Sequence, residues 1–120
     1  MKRRETGILG EKLARDFLKQ KGYRILETNY RCVYGEIDIV ARQGECLVFL
    51  EVRTRSDSSF GVPEESITPA KMRHIEKCAQ HYLQCCGKTP SSWRVDVVAV
   101  ELDPGKRPKR IEIIENALEG

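Results

Sequence analysis

Glu45-Cys46-Leu47-Val48-Phe49-Leu50-Glu51-Val52-Arg53-Thr54-Arg55 is the stretch on which the fold turns. Side chains alternate across a strand, so Leu47, Phe49, Glu51 and Arg53 share one face and Cys46, Val48, Leu50 and Val52 the other. Both faces are apolar, which predicts a central strand covered from both sides. Upstream, Gly35 to Arg42 suits a strand with Ile37, Ile39 and Ala41 on one face, and Tyr23 to Tyr30 suits another. Before them, Thr6 can cap a helix running to about Lys21, with Leu9, Leu13, Ala14, Phe17 and Leu18 on one stripe and Gly22 as its stop. Downstream, Ser56-Asp57-Ser58-Ser59 opens a polar loop that reaches Thr68-Pro69, a capping residue followed by proline at the first helical position. Met72, Ile75, Ala79, Tyr82, Leu83 and Cys86 keep helical spacing to Gly87, Trp93 to Leu102 alternates as a fourth strand, Asp103-Pro104-Gly105 is a turn, and Lys109 to Glu115 makes a fifth. The order αβββαββ predicts an α/β fold, a mixed sheet flanked by helices.

The 120 residues suit one domain, 1–120, with a core of about 6–115. Hydrophobic residues at 40% beside charged ones at 32% give an ordinary globular balance, which excludes disordered and collagen-like classes. The longest strongly apolar run, Cys46 to Leu50, is too short to span a bilayer, and Met-Lys-Arg-Arg leads into Glu5-Thr6-Gly7 rather than an apolar signal core. The expected address is cytoplasmic, with no membrane partner. Lys and Arg number 21 against 18 Asp and Glu, a net charge of +3 that permits a polyanionic partner without requiring one. The five cysteines show no Cys-x-x-Cys spacing, and reduced thiols are expected.

Chemistry concentrates in Gly35-Glu36-Ile37-Asp38-Ile39 and Glu51-Val52-Arg53. If Gln43-Gly44 forms a two-residue hairpin turn, facing residues sum to 87, so Asp38 faces Phe49 and Glu36 faces Glu51. Asp38 is then diagonal to Glu51 at roughly 7 Å. Two carboxylates so placed could grip one cation, and a bound cation would relieve the Glu36–Glu51 repulsion. Oxygen ligands with waters suit Mg²⁺ or Mn²⁺ better than zinc. The competing reading makes these surface strand charges paired with Arg42, Arg53 or Arg55.

Glu11 on the first helix, Asp38 on one strand and Glu51-Val52-Arg53 on the next resemble the PD-(D/E)XK nuclease superfamily, whose members have the restriction-endonuclease-like fold, and archaeal Holliday junction resolvases in particular. A longer match, Gly10-Glu11, Gly35-Glu36-Ile37-Asp38, Phe49-Leu50-Glu51-Val52-Arg53, Phe60-Gly61 and Ile67-Thr68-Pro69-Ala70-Lys71, is similar to the bacterial YraN-like proteins, a family held to be nuclease-like, over roughly Thr6 to Val100. The resemblance implies that Asp38, Glu51 and the Val52 carbonyl hold a divalent metal at a scissile phosphate, with Glu11 assisting through a water. It implies metal-dependent hydrolysis of phosphodiester bonds in DNA, branched DNA included, or RNA. Arg53 departs from the nuclease pattern, which has Lys there. Arginine stays protonated and can orient or stabilise a phosphate but cannot act as a base. The alternative is therefore a non-catalytic nucleic-acid-binding or interaction module that keeps the nuclease fold. A homodimer is compatible with either.

Further phosphate contacts are Arg53 with Arg55, Lys2-Arg3-Arg4, Lys106-Arg107 with Lys109-Arg110, and Lys71 with Arg73, the last pair favoured because free amides at a helix start attract phosphate. Each alone also reads as a solvated face. His74, Cys78, His81 and Cys85 are spaced by four, three and four, on a helical face away from the Met72 and Ile75 stripe. Their axial spread of about 16 Å forbids one metal shared by all four. Tyr23, Tyr30, Phe49 and Trp93 read as core and strand residues, and Tyr34 as the least certain of that set.

Overall fold

The computed structural model describes residues 3–56, 61–87, 90, 92–115 and 117. Its elements are α1 (Arg3–Gln20), β1 (Arg24–Cys32), β2 (Gly35–Gln43), β3 (Cys46–Arg55), a short 3-10 turn (Pro63–Ser66), α2 (Pro69–Cys85), β4 (Ser92–Leu102) and β5 (Pro108–Ile114). The five strands form one sheet in chain order, with β3 and β4 parallel and every other pair antiparallel. The α/β class and the order αβββαββ are thus those expected; only the 3-10 turn is new. Asp57 to Phe60, part of the expected polar loop and of the Phe60-Gly61 match, lie outside the described residues, as do Lys2 and Asn116.

Local chemistry sets the bounds of α2, whereas α1 begins at Arg3, so Thr6 lies inside that helix and does not cap it as expected. The Thr68 hydroxyl accepts from the Lys71 amide at 3.2 Å and Pro69 occupies the first turn of α2, whose end comes just before Gly87. Capping and proline placement act within a few residues, so they need no tertiary support. The helices cover opposite faces of the sheet. Ala14 and Leu18 of α1 pack with Ile39, Ala41, Val48, Leu50, Val52, Val98, Val100 and Leu102. Ile75, Cys78 and Ala79 of α2 pack with Ile37, Val40, Leu47, Phe49 and Val95. Phe49 and Leu50, adjacent in β3, are both fully buried, one under each helix. β3 is the doubly covered strand that its sequence predicts.

The β2–β3 turn corrects the expected register. Gln43 pairs with Cys46, so the turn is Gly44-Glu45 and facing residues sum to 89, not 87. Gly44, at φ 59, holds the first central position, the one that a II′ hairpin turn reserves for glycine. From Ile39 to Gln43 the shift of two keeps side chains on their expected faces but changes the neighbours: Glu36 does not face Glu51, and Asp38 does not face Phe49, which pairs with Val40. Glu36 pairs with Arg31 of β1 instead, its carboxylate 3.5 Å from the guanidinium.

Candidate functional site

Two strand irregularities meet at Asp38. Thr28↔Ile39 and Tyr30↔Ile37 flank it in the β1–β2 ladder, with Asn29 between them at φ 54, and the β2–β3 ladder stops at Ile39↔Leu50. Ile37 and Ile39, which regular alternation would put on one face, belong to the opposite cores under α2 and α1. The strand therefore switches face across Asp38. Beyond Leu50 the backbone of β3 has no ladder partner on β2, and the Val52 N–H donates to Asp38 Oδ2 at 2.8 Å. A side chain takes the place of the missing strand bond, since a buried amide must be satisfied.

Glu51 and Asp38 meet carboxyl to carboxyl, although the register that suggested their nearness is not the one formed. Burial pushes the Glu51 carboxyl up to about 8, with the Asp38 charge adding to the shift and Arg53 opposing it. Burial also raises Asp38, while the Val52 amide pulls it down. Glu11 of α1 is raised by burial and by the charges of Asp38 and Glu36. The structure thus brings Glu11, Glu36, Asp38 and Glu51 into one field, as the resemblance implied for three of them. What seats Glu11 is its neighbour: Gly10 abuts Thr54 of β3 so closely that a Cβ there would lie 1.8 Å from Thr54 Oγ1.

Arg53 Nη2 stands 3.6 Å from Glu51 Oε1. Its Nε is buried with no hydrogen-bond partner among the described residues. An unpartnered buried donor is costly, and an anion bound here would satisfy it. Arg55 lies further along β3 and lines a separate cavity of about 320 Å³ with Glu101, Asp103 and Lys109. Lys71 and Arg73 are exposed at the start of α2, the Lys71 ammonium 3.4 Å from the Ser66 carbonyl. Among the described residues no ion pair joins any of these three to the carboxylates. Arg110, grouped above with the phosphate contacts, is taken by Glu64, Glu101 and Glu112.

The donor set fits a hard cation. Two carboxyl groups supply oxygen alone, burial raises both above their ordinary values, and Arg53 Nε is left for an anion beside them. Among the described residues no third His, Cys, Asp or Glu completes a metal site, so water and substrate oxygens would fill the shell, as Mg²⁺ tolerates. The face His74, Cys78, His81, Cys85 is not a unit. Cys78 belongs to the core, its Sγ 3.3 Å from that of Cys32 and its thiol pushed up to about 12 by burial. His81 Nδ1 lies 2.6 Å from the Tyr30 hydroxyl, whereas His74 is exposed. Five free thiols are present.

Comparison with known proteins places the chain. The profile of uncharacterised protein family UPF0102 matches residues 10–100. A UPF0102 protein of Moorella thermoacetica is 50% identical over 117 residues, covering 98% of both chains. One of Syntrophus aciditrophicus is 46% identical over 114 residues, 95% of this chain and 88% of its own. One of Pelobacter propionicus is 51% identical over 118 residues, 97% and 84% of the two chains. Gly10, whose contact with Thr54 seats Glu11, is the first residue matched, and the span includes Asp38, Glu51 and Arg53; the chain belongs to uncharacterised protein family UPF0102.

Proposed function

We propose that this protein hydrolyses phosphodiester bonds in nucleic acid, DNA foremost, with a divalent cation, Mg²⁺ or Mn²⁺, held by Asp38, Glu51 and the Val52 backbone. The observation that carries the reading is one constellation: a largely buried pair of carboxyl groups, Asp38 held by the Val52 N–H, beside a buried Arg53 N–H with no partner among the described residues. The cation would offset charge on the phosphate and lower the pKa of a bound water. The chain's own groups do the rest. Val52 N–H fixes the Asp38 carboxylate, Glu51 exchanges its proton for the cation, and Arg53 orients the phosphate through its fork. Glu11, raised above its ordinary value by burial and by the charges of Asp38 and Glu36, can hold or release a proton at its carboxyl.

Arg53 supports a second reading, binding without cleavage, because no lysine stands where the nuclease pattern has one. The test is to incubate parent, Asp38→Ala, Glu51→Ala, Arg53→Ala and Arg53→Lys with labelled single-stranded, duplex and branched DNA and RNA, in Mg²⁺, Mn²⁺ or chelator. Parent cleavage should require the metal, fall at least about 100-fold in both carboxylate variants, and persist in part in Arg53→Lys. Affinity should fall steeply with salt as counterions are released. No cleavage of any substrate by the parent would overturn hydrolysis; binding weakened by Arg53→Ala would then leave the binding module standing.

A further inference from the structure

The β1–β2 hairpin has an exposed apolar tip. Val33 is 85% and Tyr34 48% exposed, in a chain whose other aromatic residues mostly pack into the core. Tyr34 is not isolated. With Lys77, Gln80, His81 and Gln84 of α2 it lines a surface cavity of about 320 Å³, at the small end of ligand sites. The Lys77 ammonium lies 6.0 Å from the centre of the Tyr34 ring, and the His81 ring meets it edge-on at 6.3 Å. The Tyr30 hydroxyl holds His81 by Nδ1 at 2.6 Å, so one wall of the cavity is fixed in advance.

Those groups match one chemistry. A tyrosine with a free face offers stacking to any base, glutamine amides carry both donor and acceptor for a base edge, and a lysine supplies charge for the phosphate. The cavity is linked to the carboxylates along β2. Tyr34 directly precedes Gly35-Glu36-Ile37-Asp38, and four strand residues cover about 13 Å, which is about four nucleotides at a stacked rise of ~3.4 Å. A Cβ on Gly35 would lie 3.7 Å from Cys78 Sγ, so α2 and the start of β2 touch between the two places.

We infer that the Tyr34–Lys77–His81 cavity binds an unpaired nucleobase and makes a single-stranded tail or junction the substrate class, a reading that rests on nucleic acid as the partner proposed above. A base inside a duplex keeps its faces covered by its neighbours, whereas an unpaired base a few nucleotides from the cut can swing onto Tyr34. The hairpin tip selects the strand, and the carboxylates act on it.

The test is equilibrium binding in chelator, where metal-dependent cleavage does not run. The probes are a labelled blunt duplex and the same duplex with a short single-stranded tail containing 2-aminopurine, whose fluorescence is quenched by stacking. The parent should prefer the tailed duplex and quench the probe. Tyr34→Ala should lose about 10-fold or more in affinity for the tail, leave the blunt duplex within about 2-fold, and abolish the quench; Tyr34→Trp should keep both. Lys77→Ala should weaken tail binding and lower its salt slope by about one. Unchanged tail binding in Tyr34→Ala, or an equal loss on the blunt duplex, would overturn the inference. Separate failures are distinguishable. Cleavage that survives with no Tyr34 dependence removes the base site and keeps the nuclease; a Tyr34-dependent tail preference in a parent that never cleaves does the reverse.

Discussion

The raised Glu51 carboxyl bears on stability as well as on the proposed cation site. Glu51 titrates near 8 when folded against 4.5 as its ordinary value, so between those limits the native state holds a proton that the unfolded chain has released. Stability therefore falls as pH rises through that window, since the folded form binds more protons. Urea denaturation of the metal-free protein at intervals from pH 5 to 8 should show this decline, and Glu51→Gln should flatten it. Mg²⁺ should stabilise the parent more at pH 8 than at pH 5, because binding releases the proton. Parallel pH slopes in parent and Glu51→Gln would mean that the carboxyl is not held protonated.

At the scale of elements, the seat of α1 on β3 is the most exacting contact. Gly10→Ala would drive a methyl into Thr54, and overpacking of this kind costs roughly 1–3 kcal/mol. The loss should appear as a lower urea midpoint, and Thr54→Ala, by removing Oγ1 and Cγ2, should restore part of it. The bounds of α2 were legible because their signals are local, Thr68, Pro69 and Gly87 sitting where capping chemistry puts them; the start of α1 was not, since the helix runs back past Thr6 to Arg3. The doubly buried β3 was legible for the same kind of reason, two apolar faces in ten residues. The register was not, because Gln43-Gly44 and Gly44-Glu45 both contain a turn glycine, and only the backbone distinguishes them. The meeting of Asp38 with Glu51 was expected from the strand spacing, but through a register that is not the one formed. Reading by alternation assumes a regular strand, and β2 changes face at the residue that matters. Cys78 was misread because its place on the helix is one step from the Ala79 stripe, and α2 is seated broadly enough to bury both. The cavity at Tyr34 was not legible because its other lining residues, Lys77, Gln80, His81 and Gln84 of α2, lie more than forty positions along the chain.

Across the whole molecule, the end of the sheet remote from the carboxylates is tied by one side chain. Arg94 of β4 bonds Asp96, fully buried, at 3.0 Å, and reaches the Tyr23 hydroxyl and Gln43 Oε1 at 3.0 and 2.6 Å, so β4 is joined to the start of β1 and the end of β2. Arg94→Met would take the guanidinium from the buried Asp96 carboxylate, a loss of about 3–5 kcal/mol, whereas Arg94→Met with Asp96→Leu should recover much of it; chemical denaturation of the two variants would check the difference. The parallel pairing of β3 with β4 joins residues 46 apart throughout, from Cys46↔Ser92 to Arg55↔Glu101. Closing such a loop costs roughly 3 kcal/mol before any contact rewards it. The β1–β2–β3 meander has only short turns to close, so it can assemble first, carrying the Asp38–Glu51 pair with it. Docking of β4 is then the slow step of folding. On a ribosome, the nascent chain would pass through a stage in which the most hydrophobic strand has an open edge, the state in which a partly made chain is most in need of a chaperone.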